Sequence, residues 1–186
     1  MKIFPGLILS SVRNFEAEAS YEMRDILKRK LGIENVLIEP LYGLSCLSII
    51  KFSNKPEIVM EQLEEKLIDN PYMFNYVLKL VPIEIKMKST IANIKNAGNN
   101  YAQKINDKFR WRIILRKRNS DLNRDEIIEK AAEPIERGIV DLENPEIIFR
   151  IEIFGNKTFT SLSNIKEISI PKIKRHNIKS NEEIYV

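Results

Sequence analysis

The sequence predicts a mixed α/β chain, α+β in its first half and α/β in its second. Three observations carry this. Runs with strand-like alternation are separated by amphipathic stretches at helical spacing along the 186 residues. In the first half they fall in the order strand, helix, strand, strand, helix, strand. In the second half a strand, a capped helix and a strand follow at the spacing of a parallel pair joined by a crossover.

"KIFPGLILS" reads as the first strand, interrupted early by Pro5. A helix is expected from about Asn14 to Leu31, with Asn14 as its cap, Glu16 and Glu18 in its first turn, and cations and Gly32 closing it. Ala19, Met23, Ile26 and Leu27 form its apolar stripe. "NVLIEP" and "LSCLSIIKF" flank the turn "LYG" and read as a hairpin. "KPEIVMEQLEEKLIDN" aligns Val59, Leu63 and Leu67 on a second helix, and "FNYVLKLVPIEI" is a fourth strand. The order βαββαβ is the ferredoxin-like arrangement, placed over residues 1–84.

The second domain is expected over residues 85–170. Ser89 to Asn106 has helical spacing, and "FRWRIILRKRN" follows as a strand. "NRDEIIEKAAEPIERG" is a helix with Asn123 and Glu126 in a capping-box pattern and Gly138 at its far end; Pro134 should kink or loosen the last turn. "PEIIFRIEIF", the turn "GN" and "KTFTSL" form a hairpin. Residues 171–186 show no clear period and read as a loose tail.

Composition bounds function. No apolar run approaches the ~20 residues that span a bilayer, and the N-terminus lacks a signal-peptide pattern. Cys46 is the lone cysteine, so no internal disulfide forms and a cytoplasmic location fits. Charge is uneven. Residues 1–84 hold 10 basic and 12 acidic side chains, net −2, and residues 85–186 hold 20 and 14, net +6. Lys104 to Arg118 contains seven basic residues against Asp107 alone. A polyanionic partner and a plainly solvated basic face both fit this pattern.

Catalytic and cofactor motifs do not emerge. The six glycines lie at least 11 residues apart, which rules out a GxGxxG loop and a P-loop. The single histidine, His176, falls in the expected tail. Cys46, mid-strand with no base beside it in sequence, reads as a buried inert thiol. The carboxylates Glu61, Glu64 and Glu65, and Asp125, Glu126 and Glu129, lie on helix faces with no pair that must converge. No catalytic residue, metal ligand or cofactor is expected, and the chain is read as a non-enzyme.

Chemistry concentrates in the strand at 109–119. Alternation puts Trp111, Ile113 and Leu115 on one face and Arg110, Arg112, Ile114, Arg116 and Arg118 on the other. Arginine forks suit phosphate oxygens. Ion pairing of the stripe with Glu136, Asp141 or Glu143 is the competing reading.

"WRIILRKRNSDLNRDEIIEKAAEPI" followed by "VDLENPEIIFRIEIFGNKTFTSL" resembles the THUMP domain, an RNA-binding module of tRNA-modification enzymes; Asp141 to Pro145 and the strand ending Ile-Glu-Ile are its most specific cues. The resemblance covers about residues 1–165, because THUMP domains commonly follow a ferredoxin-like domain. It implies RNA contacts at Arg112, Arg116, Lys117 and Arg118, with Arg110 and Arg124 next; Lys117 qualifies only if the strand ends near Arg116. Trp111, Asp141, Asn144 and Pro145 would be structural. The chain is similar to the stand-alone type, an adaptor that holds the tRNA acceptor arm for a separate tRNA acetyltransferase making N4-acetylcytidine. A protein-binding adaptor, and the RNA-binding subunit of a methyltransferase, sulfur-transfer enzyme or deaminase, remain open alternatives.

Overall fold

The computed structural model describes residues 1–164 and 166–182, with side chains described through 176. Two compact units divide the chain: Pro5–Pro82 with the segment from Glu167 onward, and Met1–Phe4 with Ile83–Lys166.

The first unit follows the expected order. Its elements are β1 (Lys2–Ser11), α1 (Glu16–Asp25), β2 (Leu37–Pro40), β3 (Leu47–Lys51), α2 (Pro56–Asp69) and β4 (Val77–Lys88), with the strands in the order β2-β3-β1-β4. β2 and β3 form the expected antiparallel hairpin. Met23, Leu27, Val59, Leu63 and Leu67, from the two helical stripes, are buried with Leu7, Leu9 and Ile50 from the strands. Glu22 anchors the entry to β4 by accepting the backbone N–H groups of Asn75, Tyr76 and Val77 at 2.6, 3.0 and 3.2 Å.

Several local expectations are corrected here. Pro5 does not interrupt β1; pairing with β3 starts at Gly6, so the missing N–H removes no rung of that ladder. Asn14 does not cap α1. It sits at φ +67° and the helix starts after Phe15 without a side-chain cap. The helix passes into a π-type turn over Ile26–Lys30, where the Leu31 N–H donates to the Ile26 carbonyl at 3.1 Å. Cys46 is neither mid-strand nor buried: it precedes β3 at φ +64° and is half-exposed. The segment read as a loose tail is helical, α5 (Ile170–Glu182), after the short strand β9 (Ile168–Ser169) that pairs with Lys79 and Leu80. Pro171 falls in the first turn of α5, which requires no N–H. Lys174 Nζ donates to the Phe74 carbonyl at 2.7 Å. Residues 183–186 of the expected tail lie outside the described residues.

The second unit takes the end of β4 and adds α3 (Ile91–Ala102), β5 (Arg110–Arg118), α4 (Arg124–Ala132), β6 (Ile139–Val140), β7 (Ile147–Phe154) and β8 (Lys157–Ser163). Its strand order is β4-β8-β7-β5-β6. β5 and β7 are parallel from Trp111↔Ile147 to Arg118↔Phe154, as the strand-helix-strand spacing required. β7 and β8 form the tight hairpin, with Gly155 at φ +57°. α3 and α4 supply Ile94, Ala97, Tyr101, Ile127 and Ala131 to a core shared with Trp111, Leu115, Phe149 and Ile151. Thr90 caps α3, which ends at Ala102, short of the expected Asn106. Asn123 caps α4 as expected, accepting the N–H of Asp125 at 2.8 Å and of Glu126 at 3.1 Å. That helix ends at Ala132, before Pro134, instead of reaching Gly138.

Candidate nucleic-acid interface

The alternation in β5 holds. Trp111 and Leu115 are buried at 3% and 5% exposure, and Ile113 packs against the same core. The arginine stripe therefore lies on the other face, but its members differ. Arg110 is held at the strand start, 3.7 Å from Asp141 and 3.5 Å from Glu146. The competing ion-pair reading thus holds for Arg110, through Asp141. Arg112 is half-buried, donates to the Leu142 carbonyl, and has Nε buried with no partner among the described residues. Arg116 is half-buried and stands in register beside Glu152. Arg118 is exposed at the strand end.

Lys117 points to the opposite face and donates from Nζ to the Leu122 carbonyl at 2.6 Å. β5 runs through Arg118, so the condition that would have freed Lys117 for RNA is not met. Arg124 opens α4 and donates to the Leu115 carbonyl at 3.3 Å, which ties the helix start to β5.

The Asp-Leu-x-Asn-Pro segment closes on itself. Asp141 Oδ1 accepts the N–H groups of Glu143 at 3.0 Å and Asn144 at 2.9 Å, forming a side-chain turn. Asn144 is exposed and Pro145 half-buried just before β7. The N–H of Asn144, then that of Glu143, and the nearby Arg110 hold the Asp141 carboxyl below its ordinary value. A carboxyl lowered in the folded state contributes stability that is present above its unfolded value, near 3.9, and lost as pH falls through the folded value. Asp141→Ala should therefore lower the melting temperature at pH 7, and its deficit relative to wild type should shrink below pH 4. Parallel melting curves at pH 7 and pH 3 check this; an equal deficit at both would assign the loss to something other than the ionised carboxylate.

One buried pair escaped the sequence reading. Arg150 and Glu152 on β7 are 2% and 3% exposed, with Nη1 and Oε1 3.3 Å apart. Opposite charges two residues apart on an otherwise apolar strand were the available signal. They occupy the stripe's face, beside Ile114 and Arg116. That face is closed around Ile148 and Arg150 and opens toward Arg118 and the β7–β8 turn, where Asn156 and Lys157 are exposed. Among the described residues, no group of three His, Cys, Asp or Glu is placed to hold a metal, and no helix is long and apolar enough to cross a membrane.

A βαββαβ unit, and an α/β unit whose sheet carries a basic face opposite its helices, describe the class. Residues 88–163 match the family model of the THUMP domain, and that segment is a THUMP domain. Comparison with curated proteins gives no match. Among solved structures, the chain is similar to PH1313 from Pyrococcus horikoshii, with TM-score 0.62 and 18% identity over 89% of this chain and 55% of that one. It is also similar to TrmN from Thermus thermophilus, with TM-score 0.52 and 12% identity over 85% and 45%. A third similar structure is a 4-thiouridine synthetase in complex with RNA and bound ATP, with TM-score 0.52 and 12% identity over 89% and 42%. The chain spans about half the length of these structures. At these identities the likeness is one of fold.

Proposed function

We propose that this chain binds tRNA through its THUMP domain and presents it, as a non-catalytic cytoplasmic adaptor, to a separate cytidine N4-acetyltransferase. The observation that carries RNA binding is the THUMP segment at 88–163 with its partly open arginine face. A 4-thiouridine synthetase of similar fold is in complex with RNA, which supports RNA as the ligand class. The adaptor role and the acetyltransferase partner rest on the sequence resemblance to the stand-alone type. The βαββαβ unit, with its ferredoxin-like strand order, would assist in holding the acceptor arm. A second reading is the RNA-binding part of another tRNA-modification enzyme, favoured by the similarity to the 4-thiouridine synthetase in complex with RNA.

The test incubates the purified chain with tRNA, acetyl-CoA and ATP, with and without the acetyltransferase, and analyses nucleosides by mass spectrometry. The expected result is tRNA binding by the chain alone, N4-acetylcytidine only when the acetyltransferase is present, and more of it with the chain than without. Acetylated cytidine made by the chain alone would overturn the adaptor role. No gain over the acetyltransferase alone would overturn the partnership.

A further inference from the structure

The face of the arginine stripe continues onto a set of lysines on the neighbouring strands of the THUMP sheet. Reading across the paired strands at the open end gives one row: Arg118 beside Phe154, Phe154 beside Lys157, Lys157 beside Lys88. Paired residues share a face, so all four belong to the face of the stripe. The next row holds Phe159 beside Lys86. Here the surface dips into a cavity of about 380 Å³ lined by Lys2, Phe4, Lys86, Met87, Lys88, Asn156 and Lys157.

Three features of this cavity point to a ligand. Lys2, Lys88 and Lys157 are exposed, and among the described residues no carboxylate lines the cavity with its four lysines. The nearest acid in the β4 alternation, Glu84, already accepts the Leu162 N–H at 3.3 Å. Lys86 is preplaced: its ammonium lies 5.4 Å from the Phe4 ring centre and 5.9 Å from that of Phe159. Finally, Lys88 and Lys157 are directly opposite across an antiparallel pair, where like charges destabilise the sheet. An anion between them would reverse that penalty.

We propose that this cavity is a phosphate site for the RNA backbone, with Lys88 and Lys157 flanking one phosphodiester and Lys2 and Lys86 receiving the next. This rests on the RNA-binding reading above and gives it a location. Arg118 stands three strands from Lys88, about 14 Å at ~4.8 Å per strand. An extended RNA backbone laid along the row would therefore meet cations at both ends. Charge and strand register carry the choice of a phosphodiester chain over a small anion: a single phosphate in the cavity cannot also reach Arg118.

The test uses the full chain and labelled tRNA, with Lys88→Gln, Lys157→Gln and their double variant, which keep much of the side-chain stem. Lys157→Arg is the rescue, and Lys95→Gln on α3, across the sheet, is the charge-count control. The double variant should bind at least about tenfold more weakly, the scale of a single charge-assisted contact. Its log K against log salt slope should be shallower by about 1.4–1.8, two contacts' worth. Its melting temperature should stay level or rise, because the like-charge pair is gone. Lys157→Arg should bind as wild type, and Lys95→Gln should weaken binding far less than the double variant. If wild type binds tRNA and the double variant binds equally well, the site is refuted while RNA binding stands. If wild type does not bind tRNA, the functional reading itself falls. If inorganic phosphate raises the melting temperature through these lysines while tRNA affinity ignores them, the cavity holds a small anion and the proposal is overturned.

Discussion

Trp111→Ala should cost about 3–5 kcal/mol of stability, the usual range for emptying a buried tryptophan site. The ring is 3% exposed and packs in one core with residues of α3, α4 and β7, so its removal leaves a void at the centre of the THUMP unit. Urea unfolding of wild type and variant measures the loss. Enough of the variant should remain folded at low temperature for an RNA titration, and its affinity there should be near wild type. A variant that melts like wild type but loses RNA would make the tryptophan a stacking platform and invert the assignment of the two faces.

Gly138→Ala should cost about 2–5 kcal/mol. Two terms add. The residue sits at φ +82°, where an L side chain costs roughly 1–2 kcal/mol. A Cβ there would stand 2.8 Å from Ile105 Cγ2, the Phe109 carbonyl oxygen and Trp111 Cδ1, and such overpacking costs about 1–3 kcal/mol. Gly138 also directs the chain into β6, whose docking is marked by Ile139 N–H to the Phe109 carbonyl at 2.8 Å and Asp141 N–H to the Trp111 carbonyl at 3.0 Å. Gly32→Ala separates the terms, because Gly32 has a similar φ of +67° with nothing within 4 Å of the added carbon. It should show the backbone cost alone. Equal losses for the two variants in the same urea series would mean that packing against Trp111 contributes nothing.

Much of this fold was legible because local patterns and tertiary packing agree. The alternation at Trp111, Ile113 and Leu115, the cap at Asn123 and the glycine turn at Gly155 each specify one local geometry that the packed unit also requires. Two misreadings fall where a non-glycine residue takes the left-handed backbone conformation. Asn14 and Cys46 both have positive φ, and nothing in their neighbours announces it. Two-residue β6 is too short to show a period, and its residues are exposed despite being apolar. For the site, spacing identified which face each arginine occupies but not what it meets there. The loop at 141–146 engages Arg110 and Arg112, and the lysine cavity assembles residues from three distant segments, which no spacing along the chain reveals.

That tRNA is held by its phosphates on the open end of the THUMP sheet is tested most directly by measuring tRNA affinity across a range of salt concentrations. With about four or five phosphates neutralised, log K should fall with log salt at a slope of about −3 to −4.5, at ~0.7–0.9 per contact. Affinity should also be similar for unrelated tRNAs, since phosphates carry no sequence information. A slope near zero would contradict the assignment of this face to the RNA backbone.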